Sequence, residues 1–284
     1  MRTPPLIAVL LLACVAHARQ QPAPATASDV VLPPCMVPVP RPDGAGGRQD
    51  EVLRRVREAS TPVRVVFLGD SITQGWEDAG ADAWARDFAP LGALQIGVGG
   101  DRTEHVLWRL AQAPLTRLDP EVVVLMIGTN NASTGRDSGE LIVRAIRAVV
   151  DTLLEQCPRA RVVVLDIPPR GQRVNPLRGL VLQVNQALSQ VRWTDRVRFV
   201  RVGDEFVRGD GSIDESAMPD HLHFSPAGYE RWARSIRPAV DAALAARPTH
   251  PSHPSMAPPP VLPAPAAPAP AAAPAASPTP RTGT

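Results

Sequence analysis

The stretch Val63–Trp76, with the sequence VRVVFLGDSITQGW, restricts the folds open to this chain more than any other. Its first part, Val63 to Leu68, is an almost continuous apolar run rich in β-branched residues, which is typical of a strand buried on both faces. The run ends in Gly69-Asp70-Ser71 and leads into helical spacing, so we predict a strand, a tight turn and a helix. A serine there lies at the carboxyl end of a strand, beside the free N–H groups of a helix N-terminus. This position suits a nucleophile.

The Gly-Asp-Ser tripeptide has a simpler interpretation when it is taken alone. Asp70 or Ser71 can cap the following helix, and Gly69 can supply the backbone angle of a turn. The choice between a cap and a nucleophile therefore depends on which other groups the fold brings to the same place.

Four more short apolar runs follow, and amphipathic patterns separate them. The predicted strands are 63–68, 93–96, 122–127, 162–167 and 197–202. Helices are predicted over 48–59, from Ser71 to near Pro90, over 103–110, 140–156 and 176–191, and from 226 onward. Asp137 and Glu140 are spaced like a capping box before the 140–156 helix. Asn175 and Ser225 precede the last two helices as caps, each followed by Pro. Buried strands alternating with amphipathic helices indicate a parallel sheet covered on both faces. We predict one three-layer α/β domain over residues 48–246.

The first residues resemble an export signal. Arg2 precedes an apolar run, Leu6–Val15, that is too short to span a bilayer, and Ala16-His17-Ala18 fits a small-residue cleavage site. We predict a secretory signal peptide over residues 1–18 and a secreted or periplasmic bacterial protein. The alternative is a lipoprotein signal, because Leu11-Leu12-Ala13-Cys14 is close to a lipobox and would place a lipid anchor on Cys14.

Two further segments lack any helical or strand periodicity. Residues 19–47 are rich in Pro, Ala and Gly and are predicted to be a linker, so that folding starts at Arg48. Residues 247–284 are dominated by Pro and Ala and are predicted to be a disordered tail. Cys35 and Cys157 remain after export, which permits a disulfide between them, although two unpaired thiols are equally compatible with the sequence.

Charge argues against a nucleic-acid partner. The 284 residues include 30 basic residues, all of them arginine, and 28 acidic ones, for a formal net charge of +2 without a long basic run. Nucleic-acid-binding domains instead carry a basic patch or stripe. The sequence gives no indication of oligomeric state.

Chemistry-bearing residues follow the ends of the predicted strands, which meet at one edge of a parallel sheet. Ser71 would be a nucleophile, His223 its general base, and Asp220 the group that orients the imidazole. The Ser71 N–H, the Gly100 N–H and the Asn130 side-chain amide would form an oxyanion hole. Asp70 and Trp76 are assigned to substrate binding.

Each of these groups also has an ordinary interpretation. The run Gly97–Gly100 can be a flexible turn or a phosphate cradle, and Asn130 an ordinary turn residue. Asp220, His221 and His223 can be metal ligands, but no further His or Cys lies at ligand spacing, so we predict no metal.

Together these residues resemble the SGNH, or GDSL-type, hydrolases. The resemblance rests on Gly69-Asp70-Ser71, Gly100, Asn130 in Gly-Thr-Asn-Asn, and Asp220-x-x-His223. The stretch IGVGGDRTEHVLWRL at 96–110 is similar to the platelet-activating-factor acetylhydrolase catalytic-subunit branch, as are IPPRG at 167–171 and NPLR at 175–178. The resemblance implies a flavodoxin-like sheet in the order 2-1-3-4-5, the catalytic roles given above, and no metal or organic cofactor.

The sequence departs from this family at two positions. Gln95 stands where members often have Asn, and Asn131 where many have Asp, which puts loop detail and substrate fit in question. We predict an exported serine esterase that removes short acyl groups, acetyl above all, from a glycan or a small lipid ester. Arg102, Arg170 and Arg178 can favour an anionic substrate or be ordinary surface arginines. The alternative function is a catalytically silent binding or surface-display protein of the cell envelope.

Overall fold

Five parallel strands form one sheet in the order β2-β1-β3-β4-β5. The structure is a computed structural model and describes residues 31–42, 47–59 and 62–246. The strands are β1 Val65–Gly69, β2 Ala93–Gln95, β3 Val122–Met126, β4 Arg161–Leu165 and β5 Val197–Val200. The α/β class predicted from the sequence pattern and the strand order that the resemblance implied are both confirmed. All five carboxyl ends lie at the same edge of the sheet.

Helices cover both faces of this sheet and give three layers. They are α1 Arg48–Glu58, α2 Ser71–Gln74, α3 Ala81–Asp87, α4 Thr103–Gln112, α5 Thr129–Ser133, α6 Gly139–Gln156, α7 Pro176–Gln190 and α8 Pro226–Ala245. Helices α1, α4, α6 and α7 pack on one face of the sheet, and α3 and α8 pack on the other. None of the helices in the described residues has the length and hydrophobicity of a membrane span.

The strands have two buried faces, as their continuous apolar sequences predict. In β1, Val66 and Leu68 contribute to the core beneath α1, α4, α6 and α7, whereas Val65 and Phe67 contribute to the core beneath α3 and α8. Each such side chain contributes roughly 1.5–3 kcal/mol when it is fully buried. The central strands are therefore held from both sides, which fixes the positions of the loops that follow them.

The helix starts agree with the predicted caps in two cases and differ in one. Asn175 and Ser225 cap α7 and α8 through their side-chain oxygens, and Pro follows each at the first helical position. The predicted start of α6 at Asp137 and Glu140 is wrong. Ser138 is the cap, because its hydroxyl accepts a hydrogen bond from the Leu141 N–H at 3.3 Å.

The segment after Ser71 is not one helix, and this changes the position of Trp76. Helix α2 ends at Gln74, a 3₁₀ turn follows over Gly75–Glu77, and α3 begins at Ala81. The break allows Tyr229 to approach, because a Cβ at position 75 would lie 2.1 Å from the Tyr229 hydroxyl oxygen.

Trp76 lies in the hydrophobic core and not at a substrate-binding surface. Only 1% of it is exposed, and its ring stacks on that of Trp232 with centroids 4.7 Å apart. Phe67 and Tyr229 also pack against it. The assignment of Trp76 to substrate binding is therefore wrong, since a side chain enclosed by other aromatic rings cannot reach a ligand.

Part of the predicted linker is folded onto the domain. We call residues 31–42 the N-terminal arm; it contains a 3₁₀ turn over Pro34–Met36. The Cys35 side chain is buried, and its carbonyl accepts a hydrogen bond from the Thr103 hydroxyl at 2.8 Å. The Val39 N–H donates to the Glu104 carbonyl at 3.3 Å. The folded domain thus includes residues N-terminal to Arg48, contrary to prediction.

The structure excludes a disulfide between the two cysteines that it describes. Both Cys35 and Cys157 are buried free thiols. Cys35 donates to the carbonyl of Leu141 in the first turn of α6, whereas Cys157 caps the other end of that helix. At 1.5 Å per residue, these two ends of α6 are about 24 Å apart. Three predicted segments lie outside the described residues: the signal peptide with Cys14, the linker residues 19–30 and 43–46, and the tail. Gly47, the last residue of the predicted linker, is described and precedes α1.

The burial of Trp76 generates a stability prediction. Trp76→Ala is expected to lower the free energy of unfolding by about 3–5 kcal/mol, because it opens a large cavity in the aromatic cluster. Urea denaturation followed by circular dichroism measures this loss. Leu182→Ala, at a position that is 53% exposed, is the control, with an expected change within about 0.5 kcal/mol. A Trp76→Ala protein of unchanged stability with a raised KM would instead support the substrate-binding role.

Candidate active site

Ser71 is the first residue of α2, directly after the turn that ends β1. No side chain fits at Gly69, because a Cβ there would lie 2.2 Å from Thr73 Oγ1 and 2.4 Å from the Met126 carbonyl oxygen. The turn is closed by Asp70, whose Oδ1 accepts the Ile72 N–H at 3.0 Å and so caps the helix. This geometry directs the Ser71 hydroxyl away from the sheet, towards the loop that precedes α8.

Two hydrogen bonds connect Ser71, His223 and Asp220 in series. Ser71 Oγ lies 2.9 Å from His223 Nε2, and His223 Nδ1 lies 2.7 Å from Asp220 Oδ2. The structure therefore brings together the three residues predicted to be catalytic. In this arrangement, the hydroxyl can pass its proton to Nε2 while the carboxylate stabilises the imidazolium that results.

The loop that holds His223 is fixed by hydrogen bonds within the loop and to the neighbouring residues Gly171 and Glu215. Asp220 Oδ1 accepts the N–H groups of Leu222 and His223 at 3.0 and 2.7 Å, which fixes the short turn between acid and base. His221 has a φ of 60°, a value that few non-glycine residues adopt. The His221 carbonyl accepts the Gly171 N–H at 2.9 Å, and its ring contacts Glu215 at 3.0 Å. These contacts hold His221 in the turn.

The Asp220 carboxylate is suited to remain ionised. Partial burial raises its pKa, but hydrogen bonds from the His223 ring and from the two N–H groups outweigh this effect, so the net pKa lies below its ordinary value. The side chains of Asp220 and His223 are 54% and 45% exposed. The site is thus open to solvent on this side.

Asp70 lies beneath the site and does not face a substrate. It is 1% exposed, and burial raises its pKa to about 6, although the Ile72 hydrogen bond and the nearby His223 and Arg170 act in the opposite direction. The assignment of Asp70 to substrate binding is therefore wrong in this structure. Its helix-capping contact is the ordinary interpretation considered for the tripeptide.

The glycine loop, residues Gly97–Gly100, follows β2 and lies against the start of α2. The Val98 N–H donates to the Gly69 carbonyl at 3.1 Å, and the Gly99 N–H donates to Gln74 Oε1 at 2.8 Å. Gly100 has a φ of +74°, which favours glycine. Among the described residues, neither the Ser71 nor the Gly100 N–H has an assigned acceptor. Both donors are available for a developing negative charge.

Asn130 is fixed to the same loop from the other side. It lies in the first turn of α5, and its Nδ2 donates to the Asp101 carbonyl at 2.9 Å. A side-chain amide has two N–H groups, so one remains for a ligand. The structure therefore brings Asn130 beside Gly100, as predicted from the sequence.

Asn131 accounts for one departure from the family pattern. It is fully buried; its Oδ1 accepts the Thr103 N–H at 3.0 Å, and its Nδ2 is 3.1 Å from both Glu104 Oε2 and Asp137 Oδ2. An aspartate here would place a third carboxylate beside two others, whereas the amide donates to them. Gln95, the other departure, is the last residue of β2, and its Oε1 accepts the Gly97 N–H at 2.8 Å.

The three arginines considered near the site differ in position. Arg170 lies beside it, donating to Thr129 Oγ1 and to the Thr129 carbonyl at 3.2 Å. Arg178 is buried, and it donates to the carbonyls of Gly171 and Gly211. It therefore braces the loops behind the site. Arg102 pairs with Glu104 at 2.7 Å.

Sequence reasoning missed three residues that shape the site. Gln74 positions Gly99, and its place one helical turn after Ser71 is a signal that could have revealed it. Asp101 carries the carbonyl that fixes Asn130. Arg41, in the N-terminal arm, packs against Gly100, and its Pro-rich surroundings give no periodic signal.

The described residues contain no group of three or more His, Cys, Asp or Glu side chains that could hold a metal ion. His221, considered as a ligand, hydrogen-bonds Glu215. The contacts of Ser71, His223 and Asn130 provide for proton transfer by an imidazole and for stabilisation of negative charge by N–H donors.

The family follows from comparison with known sequences. The model of the GDSL-like Lipase/Acylhydrolase family matches residues 67–231, more than half of the chain. Human platelet-activating factor acetylhydrolase IB subunit alpha1 is 40% identical over 182 residues, which cover 64% of this chain and 77% of the human protein. The rat alpha2 subunit is 35% identical over 185 residues, covering 65% of this chain and 79% of the rat protein. The chain belongs to the GDSL/SGNH acylhydrolase family and is a hydrolase, as its motifs predicted.

Solved structures agree on the fold. A GDSL-like lipase from Bacteroides thetaiotaomicron has a TM-score of 0.59 at 19% identity and covers 69% of this chain and 100% of its own. The lipase Lip_vut3 from a goat rumen metagenome has a TM-score of 0.53 at 16% identity, covering 66% of this chain and 100% of its own. These similarities confirm the three-layer fold.

The buried Asp70 carboxyl generates a pH prediction. Its folded pKa of about 6 exceeds the ordinary value of 3.8, so ionising it costs the folded protein stability as pH rises through this range. Asp70→Asn keeps the capping oxygen and is expected to gain about 2–3 kcal/mol over wild type at pH 8, a gain that shrinks towards pH 4. Urea unfolding at both pH values measures it.

Asp210 supplies a control of opposite sign. It is exposed, and hydrogen bonds from Ser212 lower its pKa. Asp210→Asn should therefore lose stability relative to wild type as pH rises, whereas Asp70→Asn gains it. A gain for Asp70→Asn of equal size at pH 4 and pH 8 would contradict the assigned shift.

Proposed function

We propose that this protein is an exported serine esterase that hydrolyses short-chain esters, acetyl esters above all. The observation that carries the proposal is the series of two hydrogen bonds, 2.9 Å from Ser71 Oγ to His223 Nε2 and 2.7 Å from His223 Nδ1 to Asp220 Oδ2. Ser71 is the nucleophile, His223 is the general base, and Asp220 orients the imidazole.

The acylation step begins at the Ser71 hydroxyl. Its oxygen attacks the ester carbonyl carbon as His223 Nε2 accepts the proton, which gives a tetrahedral intermediate with a negative oxygen. His223 then donates that proton to the alcohol oxygen as the carbon–oxygen bond to the leaving group breaks. Ser71 is left acylated.

Deacylation repeats the sequence with water. His223 takes a proton from the water molecule, the resulting hydroxide equivalent attacks the acyl carbon, and the returned proton restores the Ser71 hydroxyl as the carboxylic acid leaves. The half-exposed His223 side chain supports this step, because water can reach the imidazole without a large opening.

The Ser71 N–H, the Gly100 N–H and the Asn130 amide form the oxyanion hole in this proposal. The two backbone donors lack other acceptors among the described residues, and Asn130 has a second amide hydrogen beyond the one bonded to Asp101. Donors that are held in place before reaction stabilise charge without a reorganisation cost.

The preference for short acyl groups rests on two observations. The relatives at 35–40% identity are named acetylhydrolases, which supports acetyl as the group removed. The acid and base of the triad are 54% and 45% exposed, so the acyl group of a short ester needs no deep pocket to reach Ser71. The alcohol part of the substrate is proposed to be a glycan or a small lipid.

Export is proposed from the sequence of residues 1–18, with a lipid anchor on Cys14 as the alternative product. Expression of the full chain in a bacterial host, followed by fractionation and intact-mass measurement, tests it. A mature protein starting near Arg19 supports cleavage after Ala18, a lipid-modified Cys14 supports anchoring, and an uncleaved cytoplasmic protein contradicts export.

The central experiment compares wild type with Ser71→Ala on p-nitrophenyl esters of two, four, eight and twelve carbons. We expect kcat/KM to be highest for the acetate and to vanish for Ser71→Ala, whose circular dichroism spectrum should match wild type. A Ser71→Ala protein with wild-type activity would remove Ser71 from the mechanism. A maximum at twelve carbons would contradict the acetyl preference alone.

Asn130 provides a separate test of the oxyanion hole. Asn130→Ala is expected to lower kcat by about 10²–10³-fold, the usual loss for one such donor, with little change in KM. Steady-state kinetics with p-nitrophenyl acetate measure both constants. Gln190→Ala, at the exposed carboxyl end of α7, controls for the loss of a side-chain amide. A changed KM with an unchanged kcat would make Asn130 a binding residue.

A further inference from the structure

We propose that Arg41 in the N-terminal arm is a positioning residue for the oxyanion hole, acting on Gly100 and Asp101. The inference rests on the proposed esterase function and extends it to a segment whose sequence resembles a linker. It makes the arm a working part of the active site, although no residue of the arm belongs to the triad.

The arm is held so that Arg41 reaches the glycine loop. The Arg41 N–H donates to Oε1 of the buried Gln49 at 3.1 Å, and Val39 is bonded to Glu104 at the start of α4. These contacts fix the main chain on either side of Pro40. The Arg41 side chain is only 17% exposed, so it is packed along the domain and not extended into solvent.

The Arg41 guanidinium lies directly against Gly100. A Cβ at Gly100 would be 2.7 Å from Arg41 Nη1 and 3.3 Å from Nη2. The guanidinium therefore fills the space on one side of the glycine and limits how its peptide groups can turn. The Gly100 N–H is one of the proposed oxyanion donors, so its direction matters for catalysis.

The same guanidinium pairs with Asp101. Arg41 Nη1 lies 3.7 Å from Asp101 Oδ1, and the Asp101 side chain is fully buried. Arg109 bonds to the other carboxylate oxygen from within α4. A buried carboxylate needs such partners, because an uncompensated charge in the interior is costly. Asp101 is thus paired with one arginine from α4 and one from the arm.

His105 does not replace either arginine. Its Nδ1 lies 3.8 Å from Asp101 Oδ1, but burial and the surrounding arginines lower its pKa to about 4, so it is uncharged at neutral pH. Arg41 places a positive charge 3.7 Å from this carboxylate oxygen.

Asp101 is connected to two of the proposed oxyanion donors, the Gly100 N–H and the Asn130 amide. Its main chain continues directly from Gly100, and its carbonyl accepts the Asn130 side-chain amide at 2.9 Å. Loss of Arg41 would let the Gly100–Asp101 peptide and the Asn130 amide shift together. The effect falls on transition-state stabilisation, since the hole binds the charge that forms during reaction.

The test uses the full chain and p-nitrophenyl acetate. Arg41→Ala is expected to lower kcat about tenfold, less than the loss of a donor itself, with KM within about twofold of wild type. Arg41→Lys, which restores the charge without the planar group, should recover part of kcat. Arg54→Ala, which removes a 64% exposed arginine from α1, should leave kcat and KM unchanged.

A double-mutant cycle separates positioning from general damage to the fold. Combined with Asn130→Ala, Arg41→Ala should lower kcat by less than about threefold, because both act on the same hole. A methyl alkyl ketone and its trifluoromethyl analogue provide a second readout, since only the latter is captured by the serine as an oxyanion. Arg41→Ala should weaken binding of the trifluoromethyl ketone by the same factor as it lowers kcat, and should leave binding of the methyl ketone unchanged.

Three outcomes would overturn the inference. A wild-type kcat for Arg41→Ala would do so, as would full additivity with Asn130→Ala. A raised KM with unchanged kcat would make Arg41 a substrate-binding residue instead. Each can occur while Ser71→Ala is inactive, so these results are distinct from failure of the proposed function, which an active Ser71→Ala protein would indicate.

Discussion

The absence of room for a side chain at Gly69 is the constraint on which the site depends. The chain passes so close to Thr73 and the Met126 carbonyl that only hydrogen fits there. This close passage lets Asp70 cap α2 and directs the Ser71 hydroxyl towards His223. The two-sided burial of β1 and β3 holds the turn in place. Gly69, Asp70 and Ser71 therefore serve both the packing of the sheet and the position of the nucleophile.

Most of the fold could be predicted because parallel strands leave a strong pattern in the sequence. Val122–Met126, for example, is apolar on both faces, and α8 presents its aromatic residues at helical spacing. The strand ends were harder to place. Ile127 continues the apolar run after β3 but lies beyond the hydrogen-bonded ladder, because the chain must leave the sheet to reach Asn130. Burial and pairing are different requirements, and hydrophobicity reports only burial.

The site could be predicted in part, for a related reason. Ser71, Gly100, Asn130, Asp220 and His223 each follow a strand, and topology alone brings them together. Trp76 was misplaced because helical spacing does not reveal the break at Gly75, where Tyr229 packs. Arg41 was missed because the arm has no periodicity of its own. The arm is held by two hydrogen bonds, from the Arg41 N–H to Gln49, which is near in sequence, and from the Val39 N–H to Glu104, which is not.

The central claim is that His223 activates Ser71 as a nucleophile, and covalent labelling tests it most directly. A fluorophosphonate should modify wild type at one residue, identified by peptide mass spectrometry as Ser71, with a rate that falls at least about a hundredfold in His223→Ala. His221→Ala, next to it in the loop, should label much faster than His223→Ala. Labelling at another residue, or equal rates in wild type and His223→Ala, would contradict the account.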